Sequence, residues 1–326
     1  KLKITRTRYP FSTLLSLISI FYQHLTKKKN TRNTQDVKNN KILGNVIMIH
    51  RGYSKYLERN IEITSKNNKI FLLGDESLQY LEKKYNNLEF YDINLYLNTE
   101  EINNYKQSFV NYSTNDKEFE WFCFARLFII KSFLEENKLE NIFHLDSDNV
   151  VLRNLNEIKF DSDIAYSIPI FQDEYQMAGN ICHGLINKEY CSAFEEIYKE
   201  IYVDKSKFDL IEKKIKYHKQ NNIAGGICDM TLHYLIYKSE KLKIQNLSLP
   251  VLDINNDINY FVDNINSPEG PQAKVNFVQK RGRNKIYNGM FLLNTINKEF
   301  SKIVNIHFQG KSKKYLNIFN KYKLKY

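Results

Sequence analysis

Short apolar runs alternate with stretches of helical spacing along the first third of the chain. Residues 45–50 (NVIMIH) and 69–73 (KIFLL) each contain four consecutive apolar residues, as strands buried on both faces of a parallel sheet do. Helical spacing follows each run, at 56–66 and 77–85, and 88–91 predicts a third strand. Strands and helices that alternate at this spacing predict βαβ units and a largely parallel sheet.

The middle of the chain predicts a long buried helix and a further strand. Residues 119–136 are apolar almost all round, which is typical of a helix enclosed by other elements. A short turn leads to the apolar run 141–145 (NIFHL), and the acidic sequence Asp146, Ser147, Asp148 follows it directly. The remaining pattern predicts strands at 164–168, 181–186, 276–279, 290–293 and 305–308, and helices at 188–202 and 229–238.

These elements predict the α/β fold class, with a mixed, mostly parallel central sheet of Rossmann-like type that is flanked by helices. Residues 26–41 are polar, charged and without periodicity, which predicts a linker. We therefore expect a basic, helical N-terminal extension with its linker at 1–41, followed by a single large domain at 42–326.

The N-terminal extension contains one apolar segment, residues 11–25 (FSTLLSLISIFYQHL). Its apolar core is about a dozen residues long, whereas a membrane-spanning helix needs roughly 20. We expect this segment to dock on the domain or to attach peripherally to a membrane, with a truncated signal anchor as the alternative. The four cysteines form no C-x-x-C pair, which predicts reduced thiols and with them a cytoplasmic location.

The formal net charge is +11, and much of it lies near the two ends of the chain. A basic surface favours anionic partners such as nucleic acid, acidic lipid headgroups or sugar nucleotides, and charge alone does not choose among them. The sequence contains no recognised nucleic-acid-binding module, which argues against nucleic acid as the partner.

Candidate chemistry concentrates at Asp146 and Asp148, two carboxylates that follow a predicted buried strand. In open α/β sheets, ligands bind at the carboxyl edge of the strands. Alternate residues of a strand point the same way, so we expect both carboxylates to converge on one point while Ser147 faces elsewhere. Two anionic oxygens suit Mg²⁺ or Mn²⁺ and leave positions open for diphosphate oxygens. An exposed acidic turn is the alternative, which the apolar residues on both sides disfavour.

Three segments of the chain resemble the family-eight glycosyltransferases, which include glycogenin and the bacterial lipooligosaccharide galactosyltransferases. Residues 125–130 (ARLFII) and 141–152 (NIFHLDSDNVVL) are similar to the family's helix and D-x-D strand. Residues 307–313 (HFQGKSK) are similar to its H-x-x-G-x-x-K motif. The Pro-Trp that often follows in the family is absent, so a neighbouring GT-A family is the alternative. The resemblance covers residues 45–315 and implies a GT-A fold.

The resemblance implies a cation site and a donor contact. Asp146, Asp148 and His307 would hold Mn²⁺, or Mg²⁺, since a neutral imidazole is a good ligand for such ions. Arg126 would contact the sugar donor. The alternative for Arg126 is a structural pairing with a buried carboxylate.

Further positions are candidates for contacts to the nucleotide sugar. Gly310 permits a close backbone approach to phosphate, and Lys313 would meet the charge that develops on the departing diphosphate. Asp229, at the start of a predicted helix, is either a contact to sugar or acceptor or a helix-capping residue. The catalytic candidates are therefore Asp229, Arg126 and Lys313. The candidates for donor contacts are His50, Tyr53, Asp75, Arg126, Ser147, Gly310 and Lys313.

The predicted activity is a metal-dependent transfer of a hexose from a nucleotide-diphosphate sugar, with a UDP-sugar as the expected donor. The expected acceptor is a glycan, glycolipid or glycoprotein, as in polysaccharide biosynthesis. The resemblance implies retention at the anomeric carbon. We expect residues 42–155 to form the nucleotide-binding half of the domain, and residues 156–326 to form the acceptor half and the C-terminal segment that binds metal and diphosphate. One alternative is a HAD-like phosphatase with Asp146 as the nucleophile. Another is a basic nucleic-acid-binding or membrane-binding protein without enzymatic activity.

Overall fold

The structure of the protein is a computed structural model that describes residues 44–169, 172–263, 279–280, 283–284, 290–292, 300–314 and 316. The predicted N-terminal extension, including its segment at 11–25, lies outside the described residues, as does most of the predicted strand at 276–279. No helix in the described part of the chain combines the length and the apolar character needed to cross a membrane.

The described strands include every strand that the sequence predicts outside 276–278. In chain order they are β1 (Asn45–His50), β2 (Lys69–Gly74), β3 (Leu88–Asp92), β4 (Asn141–Leu145), β5 (Asn149–Val151), β6 (Ile158–Lys159), β7 (Ala165–Ser167), β8 (Asn180–Asn187), β9 (Gln245–Asn246), β10 (Val251–Asp253), β11 (Ile258–Tyr260), β12 (Gln279–Lys280), β13 (Arg283–Asn284), β14 (Met290–Leu292), β15 (Phe300–Ile303) and β16 (Asn305–His307).

Seven of these strands form the central sheet, in the order β3-β2-β1-β4-β8-β7-β9. Neighbouring strands from β3 to β4 are parallel, and β9 is parallel to β7. Within this sheet β8 runs against its neighbours, because it pairs antiparallel with both β4 and β7. The mixed, mostly parallel sheet confirms the predicted α/β fold class. The carboxyl ends of β1, β2 and β4 meet at one edge, where ligands bind in sheets of this kind.

Helices flank the central sheet on both faces. They are α1 (Lys55–Thr64), α2 (Tyr80–Lys84), α3 (Asn94–Leu97), α4 (Glu100–Ser108), α5 (Lys117–Glu136), α6 (Lys188–Tyr198), α7 (Asp209–Gln220) and α8 (Asp229–Lys238). Short 3₁₀ turns occupy Glu76–Leu78, Leu155–Glu157 and Gly310–Ser312, and a π-helical turn, Lys199–Val203, extends α6.

The central strands bury side chains on both of their faces. In β1, Ile47 and Ile49 lie in a core that includes residues of α5, α6 and α8. Val46 and Met48, which alternate with them, lie in a second core that includes residues of α1. Because both faces are covered, the strand sequence is a continuous apolar run rather than an alternating one.

Helix α5 reaches from the interior to the edge of the sheet where β4 ends. Its 20 residues begin after Asp116, whose side chain accepts a hydrogen bond from the backbone N–H of Phe119. A short turn joins its end to β4, so the two elements run in opposite directions. The part of α5 that follows Arg126 is about 15 Å long, close to the length of β4. Arg126 therefore lies level with the residues that follow β4.

Smaller sheets complete the described fold. Strands β14, β15, β11, β10 and β6 form a five-stranded sheet in that order, and β12 pairs with β13. Strand β16 pairs antiparallel with β5, and His307 lies opposite Asn149. This pairing brings the C-terminal segment against the strand that follows the D-x-D motif.

The helices differ from the prediction in several places. The helix predicted at 188–202 is α6 followed by the π-helical turn, and the helix predicted at 77–85 is a 3₁₀ turn followed by α2. Helices α4 and α7 do not follow from the apolar pattern. Helix α7 buries only Ile211 and Lys214 among its own residues, so its apolar spacing is too sparse to predict a helix.

Candidate active site

The D-x-D motif lies in a tight turn between β4 and β5. The backbone N–H of Asp146 donates to the carbonyl of Cys182 on β8 at 2.8 Å, which extends the sheet by one residue. The N–H of Asn149 then donates to the carbonyl of Asp146, also at 2.8 Å, and closes the turn. The predicted strand alternation is therefore wrong at this point, since a turn carries Asp146 and Asp148.

The pairing of β16 with β5 brings His307 to this turn. The N–H of Phe308 donates to the carbonyl of Asp148 at 2.9 Å, and His307 Nε2 lies 3.1 Å from Asp148 Oδ1. One ligand atom from each of Asp146, Asp148 and His307 lies within 4.8 Å of the other two. The predicted metal ligands, which are far apart in the sequence, are thus neighbours in the fold.

The hydrogen bonds of His307 suit a metal ligand. Its Nδ1 lies 2.5 Å from the carbonyl oxygen of Asp263, which only accepts, so Nδ1 carries a hydrogen. Nε2 faces the carboxylates, and in the neutral ring its lone pair points at them. Burial disfavours the charged ring, but Cys182 and Asp148 outweigh burial and raise the pKa of His307 well above its usual value. A cation would therefore displace a proton from Nε2.

The donor set fits Mn²⁺ or Mg²⁺. Two carboxylates supply hard anionic oxygens, and one imidazole nitrogen is compatible with either ion and better suited to Mn²⁺. The site is sheltered, because Asp148 and His307 are buried while Asp146 is partly exposed. Three protein ligands would leave further coordination positions open to a substrate.

Asp148 contacts a lysine in addition to His307. Lys313 Nζ lies 3.1 Å from Asp148 Oδ2, and the same ammonium group lies 4.7 Å from the centre of the Tyr56 ring. Burial alone would raise the pKa of Asp148, but the hydrogen bond from His307 and the charges of His307 and Lys313 lower it. This carboxyl is therefore an anion held between two cations.

Asp146 and Asp229 share the guanidinium group of Arg126. Arg126 Nη1 lies 2.5 Å from Asp146 Oδ1, and Nη2 lies 3.0 Å from Asp229 Oδ2. Burial opposes the charge on Arg126, but Asp146, with help from Asp229, raises its pKa. Burial raises the pKa of Asp229, the first residue of α8. Arg126 therefore pairs with a buried carboxylate and borders the cation site, and its contact with a sugar donor stays a prediction.

The candidates for base and ribose contacts cluster at the ends of β1 and β2. His50 Nε2 lies 3.2 Å from Ser54 Oγ, and the carboxylate of Asp75 accepts a hydrogen bond from the backbone N–H of Gly52. Tyr53 is 59% exposed, so its side chain lies on the surface. Burial and the charge of Lys313 lower the pKa of His50. These contacts place the cluster at the same sheet edge as the cation site.

Two candidates lie in backbone turns beside the cation site. Gly310 has a φ of +59°, which favours glycine, and a Cβ at this position would meet no atom of the described residues within 4 Å. Open space of this kind permits a ligand to approach the backbone. Ser147 is half-buried between the two aspartates, and its carbonyl accepts a hydrogen bond from Asn60.

A buried polar network behind the cation site does not follow from the sequence. Asn305 Nδ2 donates to Asn149 Oδ1 at 2.6 Å, and both amides lie 3.1 Å from His183 Nδ1. His183 Nε2 lies 3.1 Å from Asp263 Oδ1. This network joins β5, β8 and β16 and fixes the strands that carry the ligands. Its signal in the sequence is a polar residue inside an apolar run, as at Asn305 between Val304 and Ile306.

No family model matches the chain, and no curated protein matches it. Among solved structures, the glycosyltransferase GlyE of Streptococcus pneumoniae TIGR4 is similar at 16% identity and a TM-score of 0.37, over 62% of this chain and 44% of GlyE. The PaToxG glycosyltransferase is similar at 16% identity and a TM-score of 0.39, over 69% of this chain and 78% of PaToxG.

A third similar structure is a glycosyltransferase involved in the glycosylation of the major capsid of PBCV-1. Its identity is 10% and its TM-score 0.37, over 84% of this chain and 98% of that protein. The chain spans less than half of the length of GlyE. At TM-scores below 0.5, these likenesses do not establish an activity.

Proposed function

We propose that the chain is a metal-dependent glycosyltransferase that moves a hexose from a nucleotide-diphosphate sugar to a glycan or glycoconjugate acceptor. The observation that supports this proposal is the meeting of Asp146, Asp148 and His307 within 4.8 Å at the carboxyl edge of the sheet. A HAD-like phosphatase would need a further acidic pair. Within the described residues the third member of the group is a histidine instead.

The cations around the site suit a diphosphate. When bound, the metal ion would supply positive charge that stabilises the leaving diphosphate. Lys313, whose side chain is 37% exposed, is free to turn from Asp148 towards a phosphate oxygen on its flexible stem. The backbone at Gly310 leaves room for that phosphate. These residues would bind the charged part of the donor.

The remaining candidates surround the sugar and the nucleoside. Arg126 and Asp229 form a rigid, hydrogen-bonded pair that would orient the sugar hydroxyls beside the cation site. His50, Tyr53 and Asp75 would contact the base and the ribose. We infer a UDP-sugar as donor, and retention at the anomeric carbon, from the resemblance of the two motifs to family-eight enzymes.

A donor screen tests the proposal. The full chain is incubated with a panel of UDP- and GDP-sugars and either Mn²⁺ or EDTA, and the release of nucleoside diphosphate is measured. We expect turnover of one donor with Mn²⁺ and none with EDTA. Lys313→Ala should reduce turnover about a hundredfold, because it removes a positive charge that would stabilise the leaving diphosphate. Lys311→Ala is the matched control, since Lys311 is an exposed lysine two residues away.

Two outcomes would contradict the proposal. Hydrolysis of an aryl phosphate without consumption of any sugar nucleotide would favour the phosphatase. Salt-sensitive binding to nucleic acid or acidic vesicles, without affinity for a nucleoside diphosphate, would favour the non-enzymatic alternative.

A further inference from the structure

Helix α1 carries two buried polar residues one helical turn apart, Asn60 and Thr64. Both are 0% exposed, although they lie on a helix whose other buried side chains are apolar. Thr64 Oγ1 donates to Asn60 Oδ1 at 2.8 Å, as residues four apart on one helix face can. Buried polar groups are costly unless they are hydrogen-bonded, so their other partners indicate what they do.

The amide of Asn60 bonds the backbone of the D-x-D turn. Its Nδ2 lies 2.7 Å from the carbonyl of Asn149 and 3.0 Å from the carbonyl of Ser147. An amide group has two hydrogens, so it can donate to both carbonyls at once. Thr64 Oγ1 accepts a hydrogen bond from the backbone N–H of Val151 at 3.1 Å. Together the two side chains bond three alternate residues of the turn and of β5.

These bonds lie on the opposite edge of β5 from β16. Strand β16 occupies one edge through its pairing with β5, and it brings His307. Asn60 and Thr64 take the place of a partner strand on the other edge. The segment that carries Asp148 is therefore held from both sides, by a strand that supplies the third ligand and by two helical side chains.

We propose that Asn60, supported by Thr64, is a positioning residue that holds the D-x-D turn in its cation-binding shape. The inference rests on the proposed function, because it takes the two aspartates as metal ligands. Without the Asn60 amide, the carbonyls of Ser147 and Asn149 lose their buried donor. The turn then relaxes, and its two carboxylates no longer meet at one point.

Asn68 provides a matched control. It is also buried, and its Nδ2 donates to the carbonyl of Arg153 at 2.9 Å while its Oδ1 accepts from the N–H of Leu155 at 3.0 Å. Asn68 thus fixes the backbone just beyond β5 in the same chemical manner. Asn68→Ala removes similar bonds and leaves the D-x-D turn bonded to α1.

The experiment measures the binding of Mn²⁺ alone to the full chain, by the electron paramagnetic resonance signal of free Mn²⁺. We expect Asn60→Ala to weaken Mn²⁺ binding about tenfold or more, as the loss of an outer hydrogen bond to a metal site does. Thr64→Val, which keeps the shape of the side chain, should weaken it less. Asn68→Ala should change it by less than about twofold although it lowers the stability of the fold in urea.

Metal saturation separates positioning from general damage. Turnover of the donor by Asn60→Ala should recover at saturating Mn²⁺, because the defect lies in holding the ion. Normal Mn²⁺ affinity in both Asn60→Ala and Thr64→Val would overturn the inference, and so would an equal loss in Asn68→Ala. If the unmodified chain does not bind Mn²⁺, or if an Asp148→Ala variant binds Mn²⁺ as tightly as the unmodified chain does, the proposed metal site itself fails.

Discussion

The two aspartates of the D-x-D motif are two residues apart, yet their surroundings differ in kind. Asp146 belongs to the arginine side of the site, which consists of Arg126, Asp146 and Asp229. Asp148 belongs to the histidine side, which consists of Asp148, His307 and Lys313. The Asp146 side chain is 24% exposed and the Asp148 side chain 10% exposed.

The two sides therefore differ in how firmly they hold their carboxylates. The groups of the arginine side are fixed, whereas those of the histidine side can exchange their partners. A guanidinium group stays charged at every physiological pH and holds two carboxylates in a planar fork. The imidazole of His307 can instead give up a proton, and the ammonium group of Lys313 can swing away on its flexible stem. Ligand exchange is therefore expected on the histidine side, and orientation on the arginine side.

Removal of the carboxylate on the histidine side should have the largest effect. Asp148→Ala takes away a cation ligand and leaves His307 and Lys313 without their shared anion. We expect donor turnover with Mn²⁺ to fall about a thousandfold or more while the fold persists. Circular dichroism monitors the fold. Glu140→Ala, which changes an exposed carboxylate just before β4, is the control. Near-normal transfer by Asp148→Ala would refute the division of the site.

Weakening of the arginine side should have a smaller effect of a different kind. Arg126→Lys keeps the charge but loses the fork that joins Asp146 to Asp229. We expect kcat to fall about tenfold to a hundredfold, while Mn²⁺ affinity changes by less than about threefold. Steady-state kinetics and direct Mn²⁺ titration measure the two quantities. If affinity falls as much as kcat does, the arginine side also serves to hold the cation.

Because His307 is protonated when no metal is bound, we expect the stability of the metal-free fold and the affinity for Mn²⁺ to change with pH in opposite directions. The ion pair of His307 stabilises the metal-free fold fully below pH 6.5 and ceases to do so as the pH rises through the raised pKa. Mn²⁺ must displace the same proton, so its affinity should rise by up to about tenfold per pH unit below that pKa. Thermal unfolding and Mn²⁺ titration across the pH range measure both trends. His307→Gln should flatten both, and unchanged slopes in that variant would assign the proton to another group.

The smallest effect on turnover is expected from substitution of Ser147, which lies between the two sides of the site. Ser147 lies between the aspartates, and its carbonyl, not its hydroxyl, is the group bonded by Asn60. Ser147→Ala should therefore leave kcat/KM within about threefold of the unmodified chain. A loss of a hundredfold would show instead that the hydroxyl contacts the donor, as the sequence prediction has it.

The local pattern of apolar and polar residues was sufficient to predict much of the fold. The strands Asn45–His50 and Asn141–Leu145 and the helix Asp229–Lys238 follow from their own apolar spacing, and the structure has them at the predicted bounds. The position of the D-x-D motif at a strand end is local in the same sense. Its turn geometry is not, because a tight turn and the end of a strand leave the same signature in sequence.

Contacts between distant segments could not be predicted from pattern. His307 reaches the site through a three-residue strand that pairs with β5, and residues so far apart carry no shared periodicity. The contact of Asn60 with the D-x-D turn could not be predicted for a related reason. An asparagine and a threonine one turn apart on a helix usually face solvent, and only the packing of α1 against the turn gives them backbone partners.

The late arrival of His307 has a consequence for synthesis of the protein. A nascent chain that has emerged only as far as β5 already displays both acidic side chains, but it lacks the imidazole that completes the trio. Under the proposed function, the cation site would be complete only when β16 has paired with β5. Under the proposed function, polypeptides truncated before residue 305 would lack the third ligand and would not consume sugar nucleotides.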